Sequence, residues 1–138
     1  MRVFVDTNVL VYLFDADAPA KQKRAREILG ELTEARSLVL SSQVLRELFV
    51  TVTRKLADQL PVAQGLRAVD YLSAFPVVAV DAALVRRAAA LSTAEHVSYW
   101  DALILEAAVD AGAATVYSED LQAGRTYQGV TVVNPFSA

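Results

Sequence analysis

The chain has 138 residues, 54% of them hydrophobic, with five Gly, four Pro, no Cys, a single His and a net charge of −3. That inventory excludes disulfides and the usual Cys/His zinc sites, offers no linker, and leaves residues 1–138 to be read as one domain. A pI near 5.1 excludes a general nucleic-acid binder, which needs a basic face to replace released counterions, so any nucleic-acid contact must be local or metal-mediated.

Arg2 to Val5 is a β-branched and aromatic strand candidate, interrupted by Asp6 and Asn8 before a helical pattern over Val9 to Phe14. Such an N-terminal stretch suits no signal-peptide core, and no apolar run reaches the roughly 18 to 20 residues of a membrane span. A cytoplasmic protein with no membrane contact is expected. A longer helix follows over Ala20 to Ala35, then a strand over Ser37 to Ser41 and a helix over Gln43 to Ala57 with Ser42 as its N-cap. Pro61 starts a helix over Val62 to Ala74, and Pro76 to Val80 predicts a third strand. Asp81 caps a helix over Ala82 to Ala94, and Ser98 caps one over Tyr99 to Ala111 that ends at Gly112. Ala114 to Tyr117 and Val130 to Val133 complete five strands. Crossovers of these lengths are too long for hairpins, which predicts an α/β/α sandwich around a parallel five-stranded sheet.

Open parallel sheets bind ligands beyond the carboxyl ends of their strands. Asp6 follows the first strand directly, Glu47 lies early in the helix after the second, and Asp120 follows the fourth within three residues. Asp101 starts a helix that returns from the same edge. Two carboxylates about 5 Å apart repel by about 3 kcal/mol at an effective dielectric near 20, so a cation is expected between them. Oxygen-only ligation favours a hard ion, Mg²⁺ or Mn²⁺, and the chemistry of phosphodiester hydrolysis.

The ordered set Val5-Asp6-Thr7-Asn8-Val9-Leu10, Arg46-Glu47, Ser98-Tyr99-Trp100-Asp101-Ala102 and Ser118-Glu119-Asp120-Leu121 resembles the PIN domain, and more closely the VapC-type toxins of toxin–antitoxin pairs. The resemblance spans nearly the whole chain. It implies a PIN-like three-layer sandwich and a Mg²⁺- or Mn²⁺-dependent endoribonuclease that leaves 5′-phosphate and 3′-hydroxyl ends. It also implies a homodimer held in check by a cognate antitoxin protein. By matching position, Asp6, Glu47, Asp101 and Asp120 are the implied catalytic quartet, with Asp6, Asp101 and Asp120 on the metal. Thr7, Asn8 and Ser118 are supporting polar positions. Glu119 beside Asp120 leaves open which of the two faces the ion.

Each residue also has a structural reading. Asp6 would serve as a helix N-cap, and Asp101 as the far member of a capping box with Ser98. Glu47 lies off the apolar stripe of Val44, Leu45, Leu48, Phe49, Val52 and Leu56, which marks a solvated side chain. Asp81 is assigned to its cap, His96 to a loop, and Tyr99 and Trp100 to packing or a dimer contact. Lys21, Lys23, Arg24, Arg26, Arg86 and Arg87 read as solvated faces. The functional alternatives are a catalytically silent PIN-like module that binds RNA or protein, and a phosphotransfer receiver or aspartyl phosphatase. The latter lacks support, because Asn8 stands where a phosphatase carries its second Asp.

Overall fold

The computed structural model describes residues 1–137. Its sheet is built from β1 (Arg2–Val5), β2 (Leu38–Ser41), β3 (Val77–Val78), β4 (Ala113–Tyr117), β5 (Thr126–Tyr127) and β6 (Val130–Val133). The flanking helices are α1 (Thr7–Val11), α2 (Pro19–Glu34), α3 (Ser42–Val50), α4 (Val62–Ser73), α5 (Ala82–Glu95) and α6 (Tyr99–Asp110). Together they make a three-layer α/β/α sandwich with strand order β3-β2-β1-β4-β6-β5.

All neighbours from β3 to β6 pair in parallel, so the five expected strands are present. The sixth, β5, was not predicted, and pairs antiparallel with β6. Its cause is local. Gln128 (φ 46°) and Gly129 (φ 83°) both take left-handed backbone, which gives the two-residue turn whose twist matches a hairpin. Tyr127 then donates its hydroxyl to Glu106 Oε1 at 2.8 Å, tying the hairpin to α6.

From β1 the chain winds outward to β2 and β3, then returns to add β4 and β6 on the other side. The order therefore reverses between β1 and β4, which places the ligand-binding crevice of such sheets at their carboxyl ends. The core beneath that crevice contains Phe4, Leu40, Leu48, Leu84 and Val116, all fully buried. Helix α6 is buried all round from Ala102 to Ala108. Its one charge there, Glu106, is held by Tyr127 and by Arg87, which also binds Asp110 at 2.6 Å.

Two predicted details change. Ser41, not Ser42, caps α3 by accepting the Val44 N–H at 3.3 Å, because the chain is still extended at Ser41. Ser42 is already helical, and its Oγ accepts the Val80 N–H at 3.0 Å, joining α3 to the segment after β3. The helix expected over Gln43 to Ala57 ends at Val50 and widens into a π turn over Thr51–Lys55. There α4 presses close: a Cβ on Gly65 would lie 2.6 Å from Thr53 Cγ2. Among the described residues no helix is long and apolar enough to cross a membrane.

Candidate active site

Strands β1 and β4 end together. Val5 lies in register with Tyr117, and the Asp6 N–H donates to Tyr117 O at 2.9 Å, so Asp6 and Ser118 leave adjacent strands at the point of reversal. Asp6 does cap α1: its Oδ1 accepts the Thr7 N–H at 2.7 Å. The second oxygen accepts the Ser118 hydroxyl at 2.8 Å and the Asn8 amide at 3.3 Å. The capping role thus occupies one oxygen and leaves the other at the heart of a polar cluster.

Asn8 and Ser118 hold that cluster in place. The Asn8 amide also donates to Asp120 Oδ2 at 3.1 Å, while its carbonyl accepts the Glu119 N–H at 3.1 Å. Ser118 Oγ accepts the N–H groups of Asp120 (3.2 Å) and Leu121 (3.1 Å), winding the loop that carries Asp120. Thr7 is buried, and its hydroxyl has no hydrogen-bond partner in the protein.

A cleft of about 360 Å³ opens over this floor, lined by Thr7, Asn8, Glu47 and Asp120 among others. Burial, with Asp6 only 8% exposed, pushes its carboxyl up from 3.8 to about 6. The Ser118 and Thr7 hydrogen bonds oppose that rise, and the charges of Glu47 and Asp120 add to it. Two of the other expected acids, Glu47 and Asp120, therefore act electrostatically on Asp6. Asp101 is half-buried in the first turn of α6 and lines an adjoining hollow of about 180 Å³, which shares Asp120 and includes His96. Only the N–H half of its capping box forms, from Asp101 to Ser98 Oγ at 3.1 Å.

Glu119 is engaged elsewhere. Its carboxylate accepts the Tyr12 hydroxyl at 2.6 Å and pairs with Lys21, which also lies 5.0 Å from the Tyr12 ring centre. Burial alone would raise its pKa, but Lys21 and Tyr12 outweigh that and hold it below the ordinary value. Both Glu119 oxygens are taken, whereas Asp120 has only Oδ2 engaged, by the Asn8 amide. The Tyr12–Lys21 tether was not foreseen, because partners 98 and 107 residues from Glu119 leave no local pattern. Asp81 caps α5 as predicted, through the Leu84 N–H at 2.9 Å. His96 (φ 53°) ends that helix in left-handed backbone.

Among the described residues no three acidic side chains close in tightly enough to chelate one ion directly. The donors are nonetheless all hard oxygens, including the orphaned Thr7 hydroxyl, arranged around a cleft with room for solvent. That set fits a cation such as Mg²⁺, which keeps several of its waters and takes few direct carboxylates.

Solved structures share the fold. A toxin–antitoxin complex from Klebsiella pneumoniae contains a chain 22% identical, with a TM-score of 0.71 over 100% of both chains. The sarcin-ricin loop cleaving toxin VapC20 of Mycobacterium tuberculosis is 21% identical, with a TM-score of 0.64 over 86% of this chain and 89% of that one. VapBC2 from Rickettsia felis, bound to a promoter DNA fragment, is 20% identical, with a TM-score of 0.67 over 96% and 97%. None of the curated protein sequences matches significantly. The sequence profile of the PIN domain matches residues 3–128, and the chain belongs to the PIN domain family.

Proposed function

We propose that the chain is a Mg²⁺- or Mn²⁺-dependent endoribonuclease and the toxin of a toxin–antitoxin pair, acting in the cytoplasm as a homodimer of single PIN domains. The observation that carries this reading is Asp6, a buried carboxylate at the sheet's reversal point whose pKa rises to about 6 with Glu47 and Asp120 acting on it. A protein gains nothing from burying a carboxylate beside two further acids unless a cation offsets the cost.

In this reading Asp6, Asp101 and Asp120 would hold the ion jointly, in part through the waters it retains, and Glu47 would complete the catalytic quartet. Bound there, the ion supplies charge neutralisation for the attack of water on an RNA phosphodiester. Asn8 and Ser118 fix the Asp6 and Asp120 carboxylates before substrate arrives. Water adds at phosphorus and the P–O3′ bond breaks, leaving 5′-phosphate and 3′-hydroxyl ends. The antitoxin follows from the kind of assembly in which similar chains occur, as in the K. pneumoniae complex.

The test is cleavage of total RNA by purified protein in Mg²⁺, Mn²⁺ or EDTA, beside Asp6→Asn and Asp101→Asn variants verified as folded. Discrete cuts that require metal and fall at least about a hundredfold in both variants are expected, the size of a lost transition-state contact. No cutting by the wild type in either metal would favour a silent RNA- or protein-binding module.

A further inference from the structure

A third and larger hollow, of about 550 Å³, lies between α3, α5 and α6 and shares Glu47 and Thr51 with the acidic cleft. The two therefore adjoin at Glu47 and Thr51. Trp100 stands on its rim, 65% exposed, with Tyr99 set edge-on at 5.2 Å between ring centres. An indole so exposed contributes little to the core beneath it. Arg46 and Lys55 line the same hollow, and neither forms an ion pair among the described residues. Gln43 is 6% exposed, donates a long 3.4 Å bond to Trp100 O, and keeps its amide oxygen buried without a donor.

We propose that this hollow is a nucleobase pocket, in which an unpaired base of single-stranded RNA stacks on Trp100 while Arg46 and Lys55 hold the phosphates flanking it. The proposal rests on the RNA-cleaving reading and deepens it, giving the site its preference for unpaired strands. Stacking faces with adjoining cations are how single strands are held without duplex geometry. An acidic chain can bind RNA only where its basic groups are local, and this is a pair of free cations beside the acid cluster.

Trp100 is the sole tryptophan, so its fluorescence reports on the pocket directly. The experiment titrates wild-type protein in EDTA with an eight-nucleotide single-stranded RNA, the same strand with abasic sites, and a duplex. It repeats the titration by anisotropy of labelled RNA for Trp100→Ala, Trp100→Phe and Arg46→Ala. Saturable quenching by the single strand alone is expected, with affinity about tenfold lower in Trp100→Ala and largely restored in Trp100→Phe. Arg46→Ala should shallow the salt dependence by about 0.7 of a unit slope. Equal affinity in wild type and Trp100→Ala, or quenching that instead follows protein concentration with no RNA present, would overturn the pocket, the latter assigning the face to a second copy. Because EDTA removes cleavage from the readout, quenching without nuclease activity would refute only the catalytic reading, and cleavage without quenching only the pocket.

Discussion

Asp6 shows how one carboxylate serves both backbone and chemistry. Its Oδ1 accepts one unsatisfied N–H at the start of α1, that of Thr7, while Oδ2 accepts from Ser118 and Asn8 and the charges of Glu47 and Asp120 act on the carboxyl. The raised pKa gives a sign. Because the folded protein binds the proton more tightly than the unfolded chain, the stability it contributes is complete below pH 3.8 and is lost as the pH rises to about 6. At pH 7 the loss is about 3 kcal/mol. Asn retains the cap without the charge. The metal-free Asp6→Asn variant is therefore expected to melt at the wild-type temperature or above it at pH 7, with the advantage gone at pH 4. A clear drop in melting temperature at pH 7 would reduce Asp6 to its cap. Sequence alone poses these two roles as rivals, since it does not reveal that they use different oxygens. Glu47 was harder to read: its place off the apolar stripe of α3 is correct, and it is exposed, but that exposure is toward the cleft.

At the scale of elements, parallel strands and helices were legible because period and length differ sharply between a four-residue apolar strand and a long amphipathic helix. The π turn at Thr51–Lys55 was not, because its cause is a neighbour. Gly65 lets α4 approach Thr53, whose hydroxyl is fixed on Phe49 O at 2.6 Å, so its methyl has little freedom to move. Gly65→Ala, favoured by helix propensity by about 1 kcal/mol, is instead expected to destabilise by about 1–2 kcal/mol in urea unfolding through overpacking. Adding Thr53→Ser, which deletes the clashing methyl, should restore most of the loss. A stabilised single variant would show that the two segments can part. The β5–β6 hairpin hid for a related reason: Gln-Gly is a weaker turn signal than Asn-Gly, and the Tyr127–Glu106 contact that anchors it joins residues 21 apart.

For the whole molecule, the site follows from winding. Strand order reverses between β1 and β4, and the residues that leave those two strands form its floor. Chain order alone foretold the edge on which the acids would fall. It did not reveal that Asp101 would open on an adjoining hollow, since that depends on the packing of α6 rather than on its sequence. The most direct test of a shared cation site is calorimetric titration of Mn²⁺ at pH 6 and pH 7, in buffers of differing ionisation enthalpy, for wild type, Asp6→Asn and Asp120→Asn. Saturable binding is expected, at least about tenfold weaker in each variant, with more protons released from the wild type at pH 6 than at pH 7. Wild-type protein that binds no Mn²⁺, or binds it equally well after either substitution, would contradict the account.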